Sequence, residues 1–266
     1  MTLFADLMLV FIAGLITALA TGLGAIPFFF FTDISDRWVA ALWGLAGGIM
    51  LSASTFGLIR EGIAYGTYIE VGAGLLLGAI LVELAERVIH EYEFKPREIA
   101  DADFSKLVLI LGVLTVHSFP EGVAIGVSFA ELGAVQGIHL LGFVIPVLAV
   151  FMTVAISIQN IPEGLAVSIP LHSFNYSKKD MVYASVFSSL PQPIGAVLAF
   201  YFVILAKQFL PIGFGFAAGA MIYLVFDDML PEGLERAEDS PTNGWLEVIA
   251  GLVIGFLSMI PLIFLI

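Results

Sequence analysis

The sequence predicts an all-α integral membrane protein, and three observations carry that expectation. Hydrophobic residues fill 60% of its 266 positions and charged residues 12%, against about 25% charged in an ordinary soluble chain. Apolar runs of about 20 residues recur from end to end, enough for a helix to cross roughly 30 Å of hydrocarbon. Those runs are also too long and too uniform for the alternation of a membrane barrel. The whole of 1–266 therefore reads as a single polytopic domain embedded in a lipid bilayer.

Taken in order, eight spans fall at about 5–28, 38–60, 67–89, 106–130, 137–171, 181–206, 211–234 and 245–266. The first contains Asp6 and has no basic residue before Arg37, the wrong charge for a cleaved leader, so it is read as a span. The second closes at Arg60, Glu61 and Gly62. The third ends with Glu83 and Arg87, four apart and placed to pair, and then His90. The acidic stretch over 90–105 is the one sizeable loop. The fourth span lies between Lys106 and Glu131. The fifth is overlong, and Pro146, Pro162 and Pro170 predict a bent or broken helix there. The sixth follows Lys178 and Lys179, and the seventh ends in Asp227, Asp228, Pro231 and Glu232.

Basic residues orient the bundle. With the N-terminus outside, one side receives Arg37, Arg87, Lys95, Arg97, Lys106, Lys178, Lys179 and Arg236, and the other only Arg60 and Lys207. That imbalance places both termini outside the cytoplasm and the 90–105 loop inside it. Spans two and seven also resemble one another. GLAGGIMLSASTFGLIREG from Gly44 and GFAAGAMIYLVFDDMLPEG from Gly215 agree at six of 19 positions, among them Met50 with Met221. Lying an odd number apart, these spans run in opposite directions. Matching spans 1–3 to 6–8, with 4–5 between, gives a 3+2+3 inverted-repeat bundle, an architecture that places its site near the midplane.

The charge such a bundle must hide is concentrated in two copies of one motif. HSFPEGVAI from His117 superposes on QNIPEGLAV from Gln159. His117 and Glu121 are four apart on one helical face, as are Gln159 and Glu163, with Asn160 three before Glu163. Lys106 and Glu131, the nearest charges outside the first motif, put it about 15 Å from either boundary. Pro120 and Pro162 each free the carbonyl four residues back, on Val116 and Ile158.

A carboxylate at the bilayer centre costs about 3 kcal/mol, and two cost about 6 kcal/mol, unless a cation neutralises them. His117, Glu121, Gln159 and Glu163 offer an imidazole, two carboxylates and an amide. Their summed charge of about −2 matches one divalent ion, and nitrogen and oxygen donors without thiolate suit Zn2+, Fe2+ or Mn2+. The competing account is protonated glutamates hydrogen-bonded across helices, and it leaves the matched Pro-Glu-Gly pair unexplained.

Several function classes fall away on composition. The chain has no cysteine, hence no thiolate metal site. Its net charge of −13 without a long basic block argues against nucleic acid. Four scattered histidines without an HExxH motif argue against an intramembrane metalloenzyme. A proton- or anion-coupled carrier of an organic solute is the other alternative, and it predicts carboxylates that titrate without binding metal.

HSFPEGVAIG and QNIPEGLAVSIP resemble the fourth- and fifth-helix signatures of the ZIP (Zrt/Irt-like) metal-ion transporters, within their GufA-like branch, and the resemblance extends over all eight spans. It implies a transporter rather than an enzyme, without a cofactor, carrying Zn2+ (or Fe2+, Mn2+, Cd2+) into the cytoplasm. It also implies a homodimer, multi-pass in the cell (plasma or inner) membrane. The metal ligands it implies are His117, Glu121, Gln159, Asn160 and Glu163.

Two positions depart from the family pattern. Ser118 stands where the family usually has Asn, and Gln192 where it often has Glu, so a second, adjacent metal site has lost charge and one tight site is expected. Asp227 and Asp228 replace a His-Glu pair of the family. With Glu232 they are implied as an exit relay, and His172, nine residues beyond Glu163, is a further candidate to receive the ion. The 90–105 loop lacks the histidine run many members carry.

Overall fold

The computed structural model describes residues 2–31, 34–91, 117–134, 137–140 and 142–264. Among these residues seven helices are long and apolar enough to cross a membrane. The first is α1 (Leu3–Thr21), capped by the Thr2 hydroxyl and extended as a 3-10 turn over Gly22–Phe29. The next begins as α2 (Asp36–Ser52), widens into a π-helical stretch over Ala53–Ile59 and closes as α3 (Arg60–Tyr65). It is followed by α4 (Tyr68–Glu91) and by α5, a helix over 117–128.

A small hairpin, β1 (Ile138–Leu140) and β2 (Phe143–Ile145), leads into α6 (Val147–Ser173). Helices α7 (Lys178–Ser188) and α8 (Pro191–Leu205) make one span with a break between them. Next come α9 (Leu210–Leu224), a second π-helical stretch over Val225–Met229 and α10 (Leu230–Arg236). The chain closes with α11 (Trp245–Ser258) and α12 (Ile260–Ile263).

One expectation is corrected along the way. The span expected over 137–171 does not start as helix. Ile138, His139 and Leu140 pair antiparallel with Ile145, Val144 and Phe143, Gly142 takes a left-handed φ of 85°, and helix begins only after Pro146. The run is uniformly apolar, but its β-branched and aromatic residues around a glycine favour a strand pair. That hairpin is also the one exception to an all-α bundle among the described residues. The three prolines of this run act differently: helix starts directly after Pro146, whereas α6 continues without a break through Pro162 and Pro170, since neighbouring groups can satisfy the carbonyls a proline frees in a membrane helix. Of the span expected over 106–130, residues 106–116 lie outside the described residues, as do 92–105 of the expected loop.

Small residues decide which helices touch. In water the apolar face of a helix drives packing, but lipid is as apolar as leucine, so close backbone approach takes over. Gly44 and Gly48 on α2 lie against the carbonyls of Val248 and Leu252 on α11, and Gly251 and Gly255 answer against Ala41 and Leu45. Gly74 and Gly78 on α4 meet the carbonyls of Ile212 and Phe216, and Gly215 and Gly219 on α9 answer against Val71 and Leu75. These four helices form one group, α2 with α11 and α4 with α9. Helices α1, α6, α7 and α8 form the other, joined by α5, whose Gly122 and Gly126 press on the α8 backbone at Gln192 and Ala196. The outer surface of both groups is large apolar side chains, such as Leu76, Ile80 and Leu84 on α4 and Ile249 and Val253 on α11.

Candidate metal centre

The two motif helices bring their polar residues to one place. Glu121 on α5 and Gln159 and Asn160 on α6 are wholly buried, and Glu163 nearly so. The carboxyl groups of Glu121 and Glu163 are in hydrogen-bonding contact. Two carboxylates have no hydrogen to share, so a proton or a cation must lie between them. Gln159 Nε2 donates to Glu121 Oε1 at 2.8 Å, and Gln192 Nε2 donates to Glu121 Oε2 at 2.5 Å. Asn160 Nδ2 donates to the Thr17 carbonyl at 2.8 Å and to Gln192 Oε1 at 3.0 Å.

With both amide nitrogens engaged, Gln159 Oε1 and Asn160 Oδ1 are left without a partner among the described residues. Each such oxygen, buried and unpaired, costs about 1–3 kcal/mol. Two carboxylates and two orphaned amide oxygens make an oxygen-rich donor set that a hard or borderline divalent cation would satisfy.

His117 stands one turn before Glu121 at the edge of this set and faces a second cluster. Its Nε2 lies 3.2 Å from Glu86 Oε1 on α4 and 3.2 Å from Asp228 Oδ2 in the second π-helical stretch. One N–H serves one acceptor at a time, and Asp228 Oδ2 is left without a hydrogen bond among the described residues. Donor atoms of Glu86, His117 and Asp228 all lie within 4.8 Å of one another. From this cluster hydrogen bonds continue outward. Glu86 meets Asp227 as well as Asp228, Tyr223 bonds Asp227 and Glu83, and Glu83 pairs with Arg87.

Exposure rises along that line: 9% for the Glu86 side chain, 10% for His117, 34% for Asp228 and 71% for Arg87. In the other direction the helices are plugged. Ile125, one turn past Glu121, and Met152 and Ile156, before Gln159 on α6, are apolar and fully buried.

The remaining sequence candidates divide. Ser118 is buried beside His117, and Gln192 is part of the hydrogen-bonded centre. Asp228 lies directly beside His117. Glu232 is engaged by Arg236 at 2.8 Å, and His172 packs its ring on Phe28 with centroids 4.9 Å apart. Neither belongs to the cluster around His117. Sequence reasoning passed over two residues, Glu86 and Thr17. Glu86 sits one position before the paired Arg87, and an acidic residue three from Glu83 reads as part of a charged helix end.

The family model described as ZIP Zinc transporter matches residues 95–262. A protein of Arabidopsis thaliana is 41% identical over 225 residues, 84% of this chain but 34% of the plant protein. The zinc transporter GufA of Myxococcus xanthus is 29% identical over 266 residues, 94% of this chain and 96% of that one. The zinc transporter ZIPB of Bordetella bronchiseptica is 31% identical over 254 residues, 90% of this chain and 75% of that one. The chain thus spans about a third of the plant relative and most of the two bacterial ones.

Proposed function

The chain belongs to the ZIP zinc transporter family, and from that premise we propose that it carries zinc, or a chemically similar divalent ion, into the cytoplasm through the centre between α5 and α6. It is a multi-pass membrane protein, the plasma membrane is the one its relatives imply, and zinc is its substrate, not a cofactor. The observation that carries the site reading is the contact between Glu121 and Glu163 beside two buried amide oxygens that have no hydrogen-bond partner among the described residues. One doubly charged ion would neutralise the carboxylates and satisfy both oxygens. The ligand set is Glu121, Glu163, Gln159 and Asn160, with His117 at its rim. Glu86, Asp228 and Asp227 form the exit, continued by the polar chain to Arg87.

The architecture proposed around this site has eight spans, the fourth over 106–130 ending in α5, with the first three and last three related by inversion. Three features support it. The two π-helical stretches, Ala53–Ile59 and Val225–Met229, fall at matching places in the repeated sequences. The glycine contacts are reciprocal, since span two pairs with span eight as span seven pairs with span three. The basic-residue count puts both termini outside, so the exposed end at Asp228 and Arg87 faces the cytoplasm and the plug at Ile125, Met152 and Ile156 faces out. On this reading the conformation is inward-facing, and two copies pair as the family resemblance implies.

Purified protein in zinc-free proteoliposomes is expected to admit external zinc, followed with a trapped fluorescent indicator, and competition by Fe2+, Mn2+ and Cd2+ would rank its substrates. Uptake no faster than in empty liposomes would sink the transport reading.

A second prediction concerns how many ions the centre holds. Gln192 sends its amide hydrogens, not an oxygen, toward Glu121, which repels a second cation at that carboxylate. The wild-type chain is expected to bind one zinc. Gln192→Glu is expected to bind two, read by calorimetric titration. Two ions in the wild type, or one in both proteins, would remove Gln192 as the limiting residue.

A further inference from the structure

We infer that Thr17, on α1 and outside every ligand motif, sets the direction in which the amide groups of the metal centre face. The inference rests on the site reading above, since it assigns a role in preparing that site. Its starting point is a backbone carbonyl, which can accept a hydrogen bond but never donate one. The Thr17 carbonyl accepts from Asn160 at 2.8 Å, so the Asn160 nitrogen faces α1 and its oxygen faces away, without a partner among the described residues.

The same nitrogen lies 3.0 Å from Gln192, so the Gln192 atom it meets must be the oxygen. That oxygen also lies 2.6 Å from the Thr17 hydroxyl. The hydroxyl is 2.8 Å from the Gly14 carbonyl as well, so its one proton is shared between two acceptors, with the shorter contact to Gln192. With its oxygen occupied on both sides, Gln192 can offer only its nitrogen to Glu121, at 2.5 Å. Turning Asn160 over would set oxygen against the Thr17 carbonyl, and turning Gln192 over would set nitrogen against nitrogen and oxygen against carboxylate. Every one of those reversals is repulsive inside a wholly buried cluster, in which Thr17, Asn160, Gln192 and Glu121 all have zero exposure.

Packing keeps Thr17 where this requires. Gly14, three residues earlier, presses on the α8 backbone at Pro193. Beyond Thr17, Gly24 and Gly164 bring the extension of α1 against α6, and a Cβ at either would strike backbone. Thr17 is therefore held between the helix that carries Asn160 and the helix that carries Gln192. Its carbonyl orients the first amide and its hydroxyl the second. It touches no ion and acts as a positioning residue.

The test is a double-mutant cycle on the full chain in detergent, titrated with zinc alone. Groups one shell behind a metal ligand typically contribute about 10–100-fold in affinity. Thr17→Val keeps the shape and removes the hydroxyl, and it is expected to weaken zinc binding about tenfold, while Thr17→Ser retains wild-type affinity. In a Gln192→Ala background Thr17→Val is expected to change nothing further, because the group it orients is gone. Equal losses in Thr17→Ser and Thr17→Val, or losses that multiply across the cycle, would overturn the inference. Thr17→Ala, which introduces no branched side chain against α8, carries the same cycle if Thr17→Val does not fold. Glu163→Gln separates the two levels. If it leaves zinc binding intact, the site reading itself fails; if it abolishes binding while the cycle is multiplicative, only the role of Thr17 fails.

Discussion

Glu163→Gln is expected to strip zinc from the purified protein and, at the same time, to make the metal-free protein more resistant to heat. The two effects have one cause. Glu121 and Glu163 are buried and in contact, and with the site near the bilayer centre, as proposed, each carboxylate would cost about 3 kcal/mol if it stayed ionised without a cation. Glutamine at 163 supplies, at nearly constant shape, the hydrogen that the metal-free pair must otherwise take up as a proton, so folding of the apoprotein no longer requires that proton uptake and its heat resistance rises. The same exchange removes an anionic ligand, and affinity is expected to fall by more than the roughly 100-fold upper range for a group one shell further out.

Glu163 is the cleaner position of the two. Glu121 accepts from both Gln159 and Gln192, so an amide at 121 would set a nitrogen against one of those donors and offset the gain. Zinc content by mass spectrometry and thermal unfolding with and without added zinc read both effects. Wild type should gain stability on adding zinc in proportion to binding, and the variant should gain none. A variant with wild-type zinc content, or one whose metal-free form unfolds at a lower temperature, would contradict the idea that negative charge is tolerated here for the sake of a cation.

The parts of this centre visible in the sequence were those that break the membrane's rules. A glutamate beside a proline in the middle of an apolar run has no structural use, and two matched copies located Glu121, Glu163, Gln159 and Asn160 without any coordinates. Glu86 and Thr17 were invisible for the opposite reason. Glu86 sits beside a Glu83–Arg87 pair that the structure contains as expected, so its acidity looked like helix-end solvation, and its burial depends on α4 packing against α9. Thr17 is a hydroxyl residue in an apolar helix, of a kind that usually bonds its own backbone, as it does in part here through Gly14.

Asp228 was legible as a residue but not as a contact. The π-helical stretch over Val225–Met229 changes the rotation per residue, and no local signal in the sequence announces such a change. The hairpin before α6 was hidden in the same way, by a run whose apolar content fits helix and strand alike.

Replacing Glu86 by Gln and Asp228 by Asn is expected to slow zinc uptake about 10–100-fold while the central site keeps its ion. His117 is the reason to expect this split. Its Nε2 is equidistant, at 3.2 Å, from Glu86 and Asp228, and its place one turn from Glu121 puts it on the rim of the central set. An ion leaving Glu121 and Glu163 can therefore exchange oxygens for the imidazole and then for two carboxylates that grow more exposed toward Asp228. With those carboxylates neutral, the ion loses the next anionic position and the step out of the centre becomes the slow one.

A different role would give a different result. Carboxylates that merely orient a ligating histidine raise its affinity for metal, and removing them would weaken binding and uptake in the same proportion. Zinc affinity by titration and initial uptake rate in proteoliposomes, measured on the same double variant, separate the two. Affinity within about threefold of wild type with uptake depressed tenfold or more makes the cluster a station on the exit path, whereas parallel losses would reduce Glu86 and Asp228 to supports for His117.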